Sequence, residues 1–289
     1  VKIAVIGGAG KMGRWLAGYL RKDGYEVVIA DKDDKALKAA GQKLGVRTAA
    51  SNAEAARGAD YVLLSVPLEG FEEAVAGLEH QIQANQAVID ITSVKARPVE
   101  VMHRYLKEGT VLGAHPLFGP GAKDIARQNF VLTPTSAKEA ALAKRVRKYL
   151  EERGARIALM TPQDHDEAMS LVLGLSHFIA IAAADTLLGL DRPPLEAPIS
   201  TTYKVLLTMI ESVLSEDPEL YASIQMNLPR AVEYERLFQT RAGEWTEMVA
   251  SQNRSEFIRR FKALKEKLTK VSPDFEKAYE NMYRIVEGL

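Results

Sequence analysis

His115 is the strongest candidate for chemistry in this sequence. It follows an apolar run, at the carboxyl end of an expected strand, and opens HPLFGPGAK (115–123), whose two prolines and two glycines would hold it rigidly. A neutral imidazole takes the proton from a hydroxyl while hydride leaves the same carbon. Ser93 and Lys95, in DITSVKAR (90–97), fall just past the preceding strand on the same sheet edge. They suit a hydroxyl that orients the histidine or substrate and an ammonium near a substrate carboxylate; capping the next helix is an equally physical task for Ser93. His177 lies in a long apolar helix, either as a core residue or, if that helix faces a cleft, as a donor to substrate. His165 and Asp166 are assigned to capping and solvation, His80 and His103 to helix surfaces. No metal-ligand spacing is visible, and the absence of cysteine excludes thiolate sites, disulfides and a cysteine nucleophile.

The elements that would position these groups begin at the N-terminus. VKIAVIGGAGKMGRWLAGYLRKDGYEVVIAD reads as strand, turn, helix, strand, with Gly8, Gly10 and Gly13 in G-x-G-x-x-G register around Lys11 and Met12. Gly8 is assigned the tight turn, Gly10 the approach of backbone to a pyrophosphate, and Gly13 close packing of helix on strand. Asp31, eighteen positions past Gly13, suits the hydroxyls of an adenosine ribose and favours NAD over NADP. The run DYVLLSVP (60–67) is continuous rather than alternating, as in a parallel strand covered on both faces, and should bring Ser65, Val66 and Pro67 to the cofactor edge.

Strands alternate with helices as far as Met160, and from Pro162 onward helix follows helix. The expected fold class is therefore an α/β, Rossmann-type doubly wound parallel sheet over 1–160, followed by an all-α domain over 161–289 for substrate and dimerisation. Helices are expected at 162–188, 203–215, 218–240, 242–252, 254–270 and 273–287. The uncharged stretch Ala168 to Ala184 is short for a membrane span and reads as a helix buried on nearly all sides, most readily by a two-fold homodimer. Lysine plus arginine balances aspartate plus glutamate at 38 each, so no overall charge recruits nucleic acid or an anionic membrane. The chain enters a strand without a leader, and a cytoplasmic protein is expected.

GGAGKMG (7–13), LLSVP (63–67), DITSVK (90–95), GAHPLFGP (113–120) and DHDEAMSLVLGLSHF (164–178) keep their order and spacing along the chain. With the looser YKVLLTMIESVLSEDPELYASI (203–224), this combination resembles the prephenate dehydrogenases of tyrosine biosynthesis. The resemblance implies oxidation of prephenate by NAD or NADP with loss of carbon dioxide, giving 4-hydroxyphenylpyruvate. It also implies that His115 takes the ring-hydroxyl proton, Ser93 assists, and His177 contacts substrate from the helical domain. One position departs from the pattern: many members carry an arginine six residues before the proline of the D-P pair, where this sequence has Ser212. A hydroxyl cannot supply a guanidinium's bidentate grip. Lys204, which matches a basic position of the family, and Arg230 are the cations at hand, and Tyr221 is an aromatic wall or core. Arogenate is the close alternative substrate. A β-hydroxyacid dehydrogenase would need a lysine on the long helix, and none lies between Met169 and Asp185. A cofactor-binding regulator without turnover and one module of a larger polypeptide are the remaining readings.

Overall fold

The computed structural model describes residues 1–190, 200–272 and 274–288. Its contacts divide the chain into two compact units, Val1–Met169 and Ser170–Leu289. The division falls inside the helical run that begins at Pro162, because the first two turns of that run pack with the first unit.

The first unit contains β1 (Lys2–Ile6), α1 (Lys11–Lys22), β2 (Glu26–Ala30), α2 (Asp34–Leu44), β3 (Arg47–Thr48), α3 (Asn52–Ala56), β4 (Tyr61–Leu64), α4 (Phe71–Ala76), β5 (Ala87–Asp90), α5 (Ala96–Tyr105), β6 (Thr110–Pro116), β7 (Asn129–Thr133), α6 (Ala137–Glu151), β8 (Arg156–Leu159) and α7 (Pro162–Met169). They form one eight-stranded sheet in the order β3-β2-β1-β4-β5-β6-β7-β8. The first six strands are parallel, as the continuous apolar runs imply, but β7 pairs antiparallel with β6. That pairing, from Gly113↔Thr133 to Pro116↔Phe130, extends β6 beyond the expected Gly113. His115 therefore stands in a hydrogen-bonded strand and not in the proline-rich loop. One face of the sheet carries a continuous core from Ala4 and Ile6 through Val62, Leu64 and Val88 to Met102 and Val111.

The second unit is helical. A π-helical turn (Ser170–Leu175) leads into α8 (Ser176–Leu188), followed by α9 (Thr201–Leu214), α10 (Pro218–Asn227), α11 (Ala231–Ala250), α12 (Arg254–Val271) and α13 (Ala278–Glu287). The expected helix 218–240 is in fact two, broken at Leu228–Arg230: Pro229 lacks the N–H that would continue α10. Arg241, expected to separate two helices, and Ala242, expected to start the second, lie in the middle of α11. Pro273, the expected start of the last helix, lies outside the described residues. Within one chain the apolar stretch 168–184 is buried along one side. Met169, Ser170, Gly174, Ala180 and Ala184 are buried, whereas Leu171 and Val172 are about half exposed, because neighbours within the chain cover one stripe only.

Candidate active site

The N-terminal glycines are required for different reasons. The left-handed conformation belongs to Gly7 (φ +76°), and a Cβ there would lie 2.2 Å from the Ser65 carbonyl oxygen. Gly8, expected to make the tight turn, instead permits packing: its Cβ would meet Ile29 at 2.5 Å. At Gly13 a Cβ would sit 2.2 Å from the Gly7 oxygen, the close approach of helix to turn that the spacing implied. Gly10 begins α1 and has a free side, with only the Gly7 oxygen, at 3.3 Å, near its Cβ position. Helix α1 has neither a side-chain cap nor an acid in its first turn. A surface open to close approach beside an uncapped helix N-terminus fits a dinucleotide pyrophosphate. Lys11 is exposed and Met12 half-buried beside it.

Asp31 follows β2 and holds this turn, accepting from the Ala9 N–H (2.9 Å) and the Asp33 N–H (3.2 Å). Each carboxylate oxygen retains acceptor capacity for a ribose hydroxyl. Ser65 donates its N–H to the Ile6 oxygen at 2.8 Å, so Ser65, Val66 and Pro67 continue from β4 against the glycine turn.

On the neighbouring strands, Lys95 differs from its expected role. Its side chain is fully buried, with Nζ donating to Asp90 Oδ2 and to the Ala114 carbonyl (2.8 Å). It ties β5 to β6 immediately before His115 and presents no ammonium to a ligand. Burial pushes the Lys95 amine down and the Asp90 carboxyl up, opposed by their mutual attraction. Ser93, half-buried, does not cap α5. That helix is capped by Asp166, which accepts from the Lys95 N–H (2.7 Å, Oδ1) and the Ala96 N–H (2.9 Å, Oδ2).

Asp166 also anchors the feature that sequence reasoning missed. His165 and Asp166 are buried, contrary to the expected capping and solvation of their own helix; Thr161 and Asp164 cap α7 instead. His165 Nδ1 lies 2.7 Å from Asp166 Oδ1, and His165 Nε2 lies 2.8 Å from His115 Nδ1. A carboxylate only accepts, so His165 carries its proton on Nδ1 and presents a lone pair at Nε2. His115 must then donate from Nδ1, which leaves its Nε2 as a free lone pair. Burial, reinforced by the nearby Lys95 ammonium and by repulsion from a second proton on the His165–His115 pair, holds the His115 pKa well below the ordinary histidine value, so it is neutral at neutral pH. The signal was legible in T-P-Q-D (161–164), a capping sequence that makes the following His-Asp pair unnecessary as a cap.

In the helical unit, His177 and Tyr221 meet edge to face with ring centroids 4.8 Å apart. Burial lowers the His177 pKa, and its Nδ1 is buried without a hydrogen-bond partner among the described residues. One turn along each helix, Gln225 Nε2 donates to the Gly174 carbonyl at 2.9 Å, while Gln225 Oε1 is buried and, among the described residues, unpaired. Lys204 reaches the Val286 carbonyl at 3.5 Å. Arg230 is committed to a two-point pair with Glu233, at 2.6 and 2.8 Å. Ser212 is exposed and donates to the Met209 carbonyl.

The first unit carries a dinucleotide-type turn and a strand-borne histidine, and the second unit is helical. The family description "Prephenate dehydrogenase, nucleotide-binding domain" matches residues 16–159, and "Prephenate dehydrogenase, dimerization domain" matches residues 161–263. The chain belongs to the prephenate dehydrogenase family. It is 33% identical over 261 residues to a probable arogenate/prephenate dehydrogenase of Methanocaldococcus jannaschii, covering 89% of this chain and 58% of that protein. A T-protein of Haemophilus influenzae is 31% identical over 231 residues, covering 78% of this chain and 56% of that protein. The chain thus spans little more than half the length of these two relatives. Among solved structures, prephenate dehydrogenase from Aquifex aeolicus in complex with hydroxyphenyl propionate and NAD+ shares the fold (TM-score 0.77, 22% identity, 94% and 98% of the two chains). So does Synechocystis arogenate dehydrogenase (TM-score 0.68, 21% identity, 94% and 100%).

Proposed function

We propose that the protein catalyses the NAD-dependent oxidative decarboxylation of prephenate to 4-hydroxyphenylpyruvate in tyrosine biosynthesis. The observation that carries this reading is the relay from Asp166 through His165, which leaves His115 Nε2 as a neutral base. Bound NAD supplies the hydride acceptor. His115 Nε2 takes the proton of the ring hydroxyl as hydride leaves the carbon that bears it, and Ser93 orients the hydroxyl. The bond to the ring carboxylate breaks, carbon dioxide departs, and the electron pair aromatises the ring toward the former hydroxyl oxygen, which takes its proton back from His115. Asp31, Ser65, Val66 and Pro67 bind the cofactor together with Gly8, Gly10, Lys11, Met12 and Gly13.

His177 and Tyr221 contact the substrate from the helical unit, and Lys204 anchors a substrate carboxylate in place of the arginine absent at Ser212. Arg230, already paired, supports the site from the start of α11. Arogenate is the second reading, favoured by Gln225 Oε1, an unpaired buried acceptor suited to an ammonium. The protein acts as a cytoplasmic homodimer through the helical unit, supported by the dimerisation-domain match and by exposed apolar residues there such as Val249 (63%) and Phe261 (58%).

The test is NADH formation from prephenate and from arogenate, with NAD and with NADP, alongside His115→Asn. Prephenate-dependent NADH and a loss of about 10²–10⁴-fold in turnover in the variant, with NAD binding retained, are expected. Full activity in His115→Asn would overturn the base assignment. NAD binding without turnover of either substrate would favour a regulatory protein.

A further inference from the structure

The two faces of the nucleotide-binding sheet are not equally filled. One carries a single continuous core. On the other, the apolar residues form separate clusters, one beneath α1 and α2 and one beneath α6, with Tyr61 and Leu63 of β4 packed against both. Central strand β4 shows the same asymmetry: Val62 and Leu64 are fully buried, whereas Tyr61 and Leu63, facing the other way, are partly exposed. A cavity of about 240 Å³ opens where the clusters meet. Its wall includes Leu63, Ile89, Ala114 and Val146, with Arg145 at the polar end. Among the described residues, Arg145 is exposed and makes no ion pair.

Void space of this size against a central strand is not a packing imperfection of one methyl group. A dry apolar cavity of about 150 Å³ accommodates benzene, so this one takes a substituted ring or a branched chain. The Arg145 guanidinium selects an anion at the ligand's outer end. We propose that this cavity is a binding site for a small apolar carboxylate, with its ring or alkyl part over Leu63 and Ile89 and its carboxylate on Arg145. The site is separate from the chemistry. Ala114 lines its floor, while His115, the next residue on β6, projects from the opposite face of the strand. An occupant therefore touches the strand that carries the base without touching the base.

The test is a fluorine NMR titration of the full chain with 4-fluorophenylacetate, repeated with fluorobenzene. Saturable binding of the acid is expected, lost in Val146→Phe, weakened about tenfold in Arg145→Gln, and unchanged in His115→Asn. Fluorobenzene should bind wild type and Arg145→Gln alike. Leu63→Phe gives an independent block should Val146→Phe fail to fold. The proposal is overturned if the acid fails to bind wild type at millimolar concentration, or if folded Val146→Phe or Leu63→Phe binds it as wild type does. Loss of binding in His115→Asn alone would assign the probe to the catalytic site and equally overturn it. The readout needs no turnover, so its failure is distinguishable from failure of the proposed activity.

Discussion

Replacing Asp166 with asparagine removes one negative charge and leaves the shape of the relay nearly intact. The least disruptive seating keeps the amide oxygen toward His165 and the Lys95 N–H, so the proton positions on both imidazoles survive. What disappears is the charge that stabilises the pair once His115 has accepted a proton. Contacts of 2.7 and 2.8 Å and the width of one imidazole separate carboxylate from base by roughly 8 Å, which at an effective dielectric constant of about 20 corresponds to ~2 kcal/mol. A transition state with the proton largely transferred would then lose about 30-fold in turnover. The amide NH₂ now faces the Ala96 N–H at the start of α5, a buried donor left unsatisfied, which costs about 1–3 kcal/mol of stability. The assay is steady-state turnover with both substrates saturating, together with NAD affinity and thermal unfolding. A folded Asp166→Asn enzyme that keeps turnover within about threefold of wild type, with NAD affinity unchanged, would refute the relay.

Burial holds His115 and His165 below the ordinary histidine value. In the unfolded chain they titrate near 6.5, so the unfolded state binds more protons below that pH; their share of stability is fully present above 6.5 and is lost as pH falls toward the folded values. Denaturant unfolding should show stability falling by up to about 1.4 kcal/mol per pH unit for each histidine just below that window; a flat profile between pH 7 and pH 5.5 would contradict their burial. Gly13→Ala forces a Cβ within 2.2 Å of the Gly7 oxygen. It should destabilise the protein by about 1–3 kcal/mol and weaken NAD in calorimetry, whereas unchanged affinity and stability would show that the turn is looser than described. Lys204→Ala should raise the substrate KM while leaving kcat nearly unchanged, because a ground-state anchor contributes equally to the transition state; a fall in kcat alone would remove Lys204 from that role.

The alternation of apolar runs with helical periodicity made the sheet and its glycine turn legible, because parallel strands buried on both faces leave an unbroken hydrophobic signature. The reversal at β7 was not legible: a strand's apolar content does not encode its direction. It moved His115 from loop to strand while keeping it near the carboxyl end of β6. Lys95 was misread because a lysine beside a presumed site suggests a ligand anion, while its actual partner, Asp90, lay five residues earlier in the same motif. His165 and Asp166 were misread for the opposite reason. Their partners are distant in sequence, Asp166 bonding Lys95 and Ala96 and His165 bonding His115, and only the folded sheet brings them together.

The capping of α5 by Asp166 gives the protein a built-in reporter. The Lys95 and Ala96 amide protons are shielded by the same carboxylate that fixes the tautomer of both imidazoles. Hydrogen–deuterium exchange at those two amides therefore follows the assembly of the Asp166–His165–His115 hydrogen-bonded chain. Local fraying at this one helix end would release His165 and His115 from their fixed tautomers while the rest of the sheet remained folded.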